Sequence, residues 1–458
     1  MSINSSTLKH RFFRASGWAV SGHVTSQVLR LLSNLIMTRL LAPDMFGVMA
    51  IAFVFITGLS LFSDLGITQN IIQSRRGNDP AFLHTAWVVK ILRGVLICFL
   101  ALLVSLGLHL AATRHMVAPD TVYADSRLPM VLAVISLFAI IQGFESNRLS
   151  LAWRHLDLRR MTMFDLVTQI LGLLVMLTWA VLDRTVWALV AGTLAGQLIR
   201  TLLSHRLLPG PADRWAWEAE AFTEIFHFGK WIFISSILGF LAMNGDRLIL
   251  GGLVGADVLG QYSIAFFLAT ALQQLMSRFF SGVAFPALSE VVRNTPEKLK
   301  ATYYKIRLRV DALALFSSGC LFVLGVPIIH ILYDKRYWDA GPMLEVLALS
   351  LIVARYELAE HCYLALGLPK WLTLQKTIRL LVLYLAVPIA FFMYQLPGAI
   401  WAIVLSMFSI VPVTIYANSR LGILDVKKEL IALPFFLLGW LCGELAIWFS
   451  GFSVGVVD

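Results

Sequence analysis

Long apolar blocks alternate with short polar segments along almost the whole chain. About 20 apolar residues in a helix span the hydrocarbon core of a bilayer, and each block is near this length or longer. The pattern therefore predicts thirteen membrane-spanning helices joined by short connections. The predicted spans are 16–41, 45–70, 85–110, 128–152, 162–182, 185–206, 227–251, 257–284, 308–333, 341–366, 371–394, 397–419 and 428–449.

Lys and Arg residues concentrate in alternate connections, which predicts the orientation of the helices. The positive-inside rule places such connections in the cytoplasm, and this places the N-terminus there too. The cytoplasmic connections then hold Arg75, Arg76, Arg154, Arg159, Arg160, Arg206, Arg214, Arg293, Lys298, Lys300, Lys305, Arg307, Arg309, Lys370, Arg420, Lys427 and Lys428. The periplasmic connections hold only Arg114, Arg127, Arg184, Lys335 and Arg336.

Composition supports one integral membrane unit rather than several soluble domains. Hydrophobic residues make up 59% of the 458 positions and charged residues 14%, and the mean hydropathy is +0.79. In a soluble domain, roughly a quarter of the residues are charged. The net charge of +10 comes mostly from the connections, so we expect no nucleic-acid partner. The four cysteines lie singly in apolar blocks, which is typical of core residues and predicts no disulfide or metal site.

The sequence contains an internal repeat. Residues 35–53 read LIMTRLLAPDMFGVMAIAF, and residues 248–266, at an offset of 213, read LILGGLVGADVLGQYSIAF. The offset covers six predicted spans, an even number, so both copies insert in the same orientation as a parallel repeat. We therefore predict an N-terminal six-helix lobe over 1–206, a cytoplasmic connection over 207–226, a C-terminal six-helix lobe over 227–419, and an extra helix with a tail over 420–458.

The repeated Asp44 and Asp257 each precede a glycine, Gly47 and Gly260, in a turn between two predicted helices. Glycine supplies flexibility in such turns, and an aspartate can cap the helix that follows. We interpret both aspartates as capping residues.

Four segments in order resemble the signature of the polysaccharide-transport, or Wzx-like, flippases of the multidrug/oligosaccharidyl-lipid/polysaccharide exporter superfamily. They are TRLLAPDMFGVMAIAFVFITGLSLFSDLGITQNIIQ (38–73), WALVAG (187–192), DRLILGGLVGADVLGQYSIAF (246–266) and VAFPALSEV (283–291). The resemblance extends from about residue 10 to residue 420.

The resemblance implies an all-α membrane protein with two lobes around a central cavity. It also implies transport of undecaprenyl-diphosphate-linked oligosaccharide units from the cytoplasmic to the periplasmic leaflet of a bacterial inner membrane. Membrane lipids and other polysaccharide-assembly proteins are the further partners that it suggests. Similar members often have fourteen helices, which leaves open whether the C-terminus is periplasmic or a fourteenth helix is missing.

Charged residues inside the predicted spans are candidates for substrate contact, because a charge within a bilayer is costly. The planar guanidinium group suits a diphosphate, since it binds two oxygens at once. We predict Arg30, Arg247, Arg278 and Arg355 as substrate-binding cations. Arg148 follows Glu145 by three residues on the same helical face, so we interpret those two as a structural ion pair.

Acidic residues inside the spans are candidates for ion coupling. We predict this role for Asp64, Asp246, Glu357 and Glu360. Glu357 and Glu360 share a helical face, with His361 within reach of Glu357, and two neighbouring carboxylates favour retention of a proton by one of them. Neutralisation by Arg355 or by another helix is the alternative interpretation.

Several other functions lack their motifs. The sequence contains no P-loop, HExxH or GxSxG motif, so we expect neither ATP hydrolysis, nor an enzyme, nor a cofactor. A cation-coupled exporter of small drugs from the same superfamily is the first alternative function. A membrane glycan polymerase or ligase is the second, although such enzymes typically have a long periplasmic loop.

Overall fold

The computed structural model describes the backbone of residues 5–155 and 157–450, with side chains for these residues except 5–20, 23, 158, 228–235, 278, 282 and 283. All regular structure in this part of the chain is helical, which confirms the predicted all-α class. The first ten α-helices are α1 (Ser5–Leu40), α2 (Pro43–Phe62), α3 (Ile67–Gln73), α4 (Pro80–Thr113), α5 (Arg127–Ile135), α6 (Leu137–Gly143), α7 (Arg148–Arg154), α8 (Leu158–Leu182), α9 (Trp187–Leu207) and α10 (Ala219–Gly251). The remaining ones are α11 (Ala256–Phe279), α12 (Phe285–Asn294), α13 (Leu299–Leu332), α14 (Ala340–Ala348), α15 (Ser350–Ala354), α16 (Glu357–Ala365), α17 (Lys370–Phe408), α18 (Ile410–Arg420), α19 (Val426–Leu430) and α20 (Pro434–Ser450).

The predicted spans fall on helices, several of which are broken. Among the described residues, 6 helical stretches are long and apolar enough to cross a membrane, or up to 7 if α5 and α6 form one span with α7, to which they are bent by 61°. One stretch, Lys370–Arg420, is 51 residues long and covers two predicted spans. Its backbone breaks at Gln395, where φ is 54°. The chain is thus a multi-pass membrane protein, and the count of thirteen spans stays a prediction.

The internal repeat recurs in the bounds of the helices. The offset of 213 residues relates the starts of α2 and α11, the helices α5 and α14, and the ends of α9 and α18. It also relates two short 3₁₀ turns, Val122–Ala124 and Lys335–Tyr337. The repeat therefore extends well beyond the residues whose identities match.

The repeated aspartates do not cap their helices, so the capping interpretation is wrong. The N-cap residues of α2 and α11 are Ala42 and Gly255, both extended and without a side-chain hydrogen bond. Asp44 and Asp257 instead lie in the first helical turn, where a carboxylate interacts favourably with the helix dipole. Asp44 also accepts a hydrogen bond from Nη1 of Arg127 at 2.6 Å.

The chain packs as two compact units, Met1–Phe240 and Leu241–Asp458. In the first unit, α8 packs on α1 and α9, and α4 packs on α5 and α6. In the second unit, α13 packs on α14 and α20, and α11 packs on α14. Helix α10 contributes residues to both units, and the lobe boundaries at 206 and 227 stay a prediction.

Glycines bring α20 close to α13 in the second unit. A Cβ atom at Gly439 would overlap the carbonyl oxygen of Phe316, and one at Gly319 would overlap that of Phe436. Small residues allow membrane helices to approach closely and gain van der Waals contact. The predicted extra helix, α20, is therefore packed into the second unit, whereas the predicted tail after residue 450 lies outside the described residues.

Candidate functional site

Six charged residues of the second unit, on α10, α16 and α17, interact electrostatically with one another or with a shared neighbour, Tyr262, and we call them the charge cluster. Its members are Asp246, Arg247, Glu357, Glu360, Lys376 and Arg379. Three are carboxylates and three are cations, so their formal charges cancel. Four were predicted as site residues, whereas Lys376 and Arg379 were missed.

The α10 side of the charge cluster is tightly packed. Asp246 is 5% exposed and accepts a hydrogen bond from the hydroxyl of Tyr262 on α11. The guanidinium group of Arg247 lies 4.8 Å from the ring centroid of Phe266, and its buried Nε has no hydrogen-bond partner among the described residues. A cation over an aromatic ring keeps its charge in an apolar region at lower cost. Arg247 therefore retains unused hydrogen-bonding capacity.

The α16 and α17 sides bring the two glutamates and the two missed cations together. Glu360 interacts electrostatically with Lys376 and Arg379, and Glu357 with Lys376. Arg379 also interacts with Asp246, so it lies within electrostatic reach of carboxylates on two helices. In the part of the chain that the structure describes, its buried Nε has no hydrogen-bond partner. The cations that neutralise the glutamates thus come from another helix, as the alternative interpretation proposed, and not from Arg355.

Arg355 belongs to a second group of charges, which we call the buried ionic network. Its members, Arg307, Asp311, Arg355 and Glu429, are 0%, 1%, 2% and 9% exposed. Arg355 donates from Nη2 to Oε2 of Glu429 at 3.0 Å, and its Nε lies 3.6 Å from Oδ2 of Asp311. Its guanidinium group is therefore engaged with two carboxylates.

Arg307 was predicted in a cytoplasmic connection, and the structure instead buries it within α13. Its Nη2 donates to Oε2 of Glu429 at 2.6 Å, its Nη1 donates to Oε1 of the same carboxylate, and its Nε lies 3.3 Å from Oδ2 of Asp311. The hydroxyl of Tyr304 also donates to Glu429, at 2.9 Å. Sequence reasoning missed Arg307 and Glu429, because each lies near a charged connection in the sequence.

Two further predicted site residues, Asp64 and Arg30, belong to the first unit. Asp64 of the first unit forms an ion pair with Arg93, with Oδ1 and Nη1 3.3 Å apart. Arg30 on α1 is exposed and has no hydrogen bond or ion pair among the described residues. The side chain of Arg278 lies outside the described residues.

The predicted ion pair between Glu145 and Arg148 is wrong. Arg148 donates to the carbonyl oxygens of residues 205, 208 and 211. Glu145 pairs with Arg200, at 3.1 Å, and Arg200 also reaches Asp165 at 2.6 Å. Glu145 lies in the break between α6, which ends at Gly143, and α7, which begins at Arg148, so the two residues do not share one helical face.

A surface ion pair stabilises the connection between α3 and α4. Arg76 donates to Asp79 at 2.7 Å and to Glu218 at 2.6 Å. The hydrogen bond from Arg76 is the main reason why the pKa of Asp79 lies below its ordinary value. Asp79 also caps α4 by accepting from the backbone N–H of Ala81.

The family model described as "Polysaccharide biosynthesis protein" matches residues 36–342. The chain is 22% identical over 340 residues to the succinoglycan biosynthesis transport protein ExoT of Rhizobium meliloti (strain 1021), a match covering 74% of this chain and 65% of that protein. It is 23% identical over 350 residues to the lipopolysaccharide biosynthesis protein WzxC of Escherichia coli (strain K12), covering 74% of this chain and 67% of that protein. The chain thus spans about two thirds of the length of these relatives.

Two solved structures share the fold. An inward closed conformation of the lipid II flippase MurJ has a TM-score of 0.69 at 12% identity, covering 95% of this chain and 93% of that one. An inward-facing multidrug resistance MATE family transporter of the MOP superfamily has a TM-score of 0.65 at 16% identity, covering 88% and 98%. At these identities the likeness concerns the fold alone.

Proposed function

Because the chain belongs to the polysaccharide biosynthesis protein family, whose model matches residues 36–342, we propose that it is a flippase for lipid-linked oligosaccharides. It moves undecaprenyl-diphosphate-linked repeat units from the cytoplasmic to the periplasmic leaflet of a bacterial inner membrane by alternating access. Its N-terminus lies in the cytoplasm. The names of the two relatives and the fold shared with a lipid II flippase support this proposal.

The charge cluster is the observation that carries the proposal. Three cations and three carboxylates within predicted apolar spans are costly to place in a membrane, and charges in such positions mark substrate or ion pathways. A lipid-linked oligosaccharide brings a diphosphate through about 30 Å of hydrocarbon, and cations along its path lower that barrier. Arg247 and Arg379 suit this task because the buried Nε of each has no hydrogen-bond partner within the described part of the chain. Lys376, which is exposed, supplies a third positive charge.

The carboxylates of the charge cluster provide a route to ion coupling. A diphosphate that binds Lys376 and Arg379 competes with Glu360 for the same cations. A carboxylate that loses its cation in a low-dielectric region favours uptake of a proton. Substrate binding and proton binding are thereby linked through Asp246, Glu357 and Glu360. Arg30 and Arg278 remain proposed substrate contacts, and Asp64, paired with Arg93, remains a proposed coupling residue of the first unit.

Gene deletion tests the proposal. We expect the deletion strain to accumulate lipid-linked oligosaccharide in the cytoplasmic leaflet, measured by labelling the glycan from the periplasmic side of spheroplasts. Expression of the full chain should restore labelling, whereas a Lys376→Gln/Arg379→Gln variant at equal abundance should not. Lys305→Gln, at an exposed lysine of the same unit, is the matched control. Normal periplasmic labelling in the deletion strain would contradict the proposal.

Export of small drugs is the second candidate function, because the fold is shared with a multidrug resistance transporter. This function predicts that the deletion strain becomes sensitive to cationic dyes and antibiotics while its glycan labelling stays normal. The same strain therefore distinguishes the two functions.

A further inference from the structure

Glu429 is the centre of the buried ionic network. It lies on α19, a helix of five residues after the repeated part of the chain. Its carboxylate accepts hydrogen bonds from Arg307 on α13, from Arg355 and from the hydroxyl of Tyr304. Arg355 also donates to the backbone carbonyl of Glu429 at 3.1 Å. The side chain and the backbone of Glu429 are therefore both held by residues of the helical bundle.

Arg355 lies at the break between α15 and α16. Helix α15 ends at Ala354 and α16 begins at Glu357, so Arg355 and Tyr356 form the junction. The hydroxyl of Tyr356 lies 3.4 Å from Oε2 of Glu429, which therefore contacts both junction residues. The direction in which α16 leaves the junction determines where Glu357 and Glu360 project.

The packing of α20 holds this arrangement together. Helix α20 approaches α13 through Gly319 and Gly439, whose hydrogen atoms face backbone carbonyl oxygens. Residues 425–450 are thus attached to α13 by close packing over α20 and by Glu429 at α19. Separation of α19 from α13 would leave the carboxylate and the two arginines unpaired, and an unpaired buried charge is strongly unfavourable.

We propose that residues 425–450 act as a clasp, in which Glu429 is a positioning residue that fixes the α15–α16 break and thereby the placement of Glu357 and Glu360. The clasp itself is argued from these contacts alone, and its consequence for transport rests on the proposed function. The clasp explains why a segment outside the internal repeat carries a buried charge. It also assigns Arg355 to positioning rather than to direct contact with substrate.

The charge balance of the network predicts how variants behave. Glu429→Gln keeps the size and one acceptor oxygen but leaves Arg307 and Arg355 facing Asp311 alone. Arg355→Gln/Glu429→Gln removes one charge of each sign, so Arg307 and Asp311 remain as a pair at 3.3 Å. The single variant should therefore be less stable than the double variant. If only the packing of these side chains mattered, the double variant would be the less stable of the two.

Hydrogen exchange of the purified, detergent-solubilised full chain tests the clasp. We expect Glu429→Gln to increase amide exchange at least fivefold in peptides covering 352–362, more than 65 residues away in the sequence, while peptides of α8 and α9 stay unchanged. Glu444→Gln, at an exposed glutamate of α20, is the matched control and should change neither region. The double variant should return exchange at 352–362 to within about twofold of the unaltered protein.

Two results would overturn the clasp. One is faster exchange confined to 425–450 in Glu429→Gln, and the other is a double variant that exchanges faster at 352–362 than the single variant. Periplasmic glycan labelling per folded molecule should fall severalfold in Glu429→Gln and recover in the double variant. If exchange behaves as expected but the deletion strain labels normally, the clasp stands and the proposed function fails.

Discussion

Arg307 of α13 and Glu429 of α19 are 122 residues apart in the chain and form a two-pronged ion pair inside the second unit. Both side chains are almost fully withdrawn from the surface, and Asp311 and Arg355 complete their neutralisation. A buried pair of this kind contributes little net stability compared with apolar residues of the same shape. Removal of one partner is costly, however, because the other charge stays buried without solvent around it. The relationship therefore fixes geometry more than it adds stability.

Arg307→Ala should strongly destabilise the protein. The substitution leaves Asp311 and Glu429 buried with Arg355 as their one remaining cation of the network, and such a loss costs about 3–5 kcal/mol. The thermal midpoint, measured by fluorescence-detected size-exclusion chromatography after heating, should fall. Arg309→Ala, at an exposed arginine of the same helix, should leave the midpoint within experimental error. Equal midpoints for the two variants would contradict a structural role for the network.

Arg379→Gln should reduce transport measured per folded molecule. None of the described residues forms a hydrogen bond with its Nε, and a charge-assisted hydrogen bond to substrate contributes about 1.5–3 kcal/mol. We therefore expect at least about a tenfold loss in the initial rate of periplasmic glycan labelling. Arg420→Gln, at an exposed arginine of the same unit, serves as the control. An unchanged rate would exclude Arg379 from the substrate path.

The double variant Glu357→Gln/Glu360→Gln should uncouple transport from the ion gradient. Both replacements keep the shape of α16 and remove the groups that bind and release protons in the proposed cycle. Labelling should become insensitive to a protonophore, whereas labelling by the unaltered protein should fall when the gradient is dissipated. Full gradient-dependent transport at normal abundance would rule out these two carboxylates as the coupling groups.

Gly439→Ala should loosen α20. The added Cβ would overlap the carbonyl oxygen of Phe316, so α20 must move away from α13. We expect a lower thermal midpoint and greater cleavage by protease within 425–450. Gly107→Ala is the control, because a Cβ atom there meets no atom within 4 Å and alanine favours the helix. Its midpoint should be unchanged or slightly higher.

The pair of Arg76 and Asp79, in a connection outside the membrane, should make a pH-dependent contribution to the stability of the folded protein. Because Arg76 lowers the pKa of Asp79 in the folded protein, the pair stabilises the folded state fully when the pH is above the ordinary aspartate pKa. This stabilisation is lost as the pH falls through the lowered pKa of Asp79. Asp79→Asn keeps an N-cap side chain and removes the charge. Its thermal midpoint should lie slightly below that of the unaltered protein at pH 7, and the difference should shrink under acidic conditions. A constant difference would show that the charge is not responsible.

The apolar blocks were enough to predict helices and a membrane location. A span of about 20 apolar residues has few other stable states, since backbone polar groups in lipid must be satisfied within the segment. The repeat at Leu35 and Leu248 predicted the recurrence of elements, which the bounds of α5 and α14 confirm. Glu357 and Glu360 were predicted as site residues because a charge in an apolar span is conspicuous, and their role stays a prediction.

The sequence by itself determined what is local or periodic: the helical spans, the repeat, and the charges that lie inside apolar blocks. Only the tertiary structure decided which charges meet. Lys376 and Arg379 face Glu360 from another helix, and Glu429 neutralises Arg307 and Arg355 from beyond the repeat. Pairing of charges depends on distances of a few ångströms between helices far apart in the chain. No spacing within one helix encodes those distances, because they are set by the packing of whole helices.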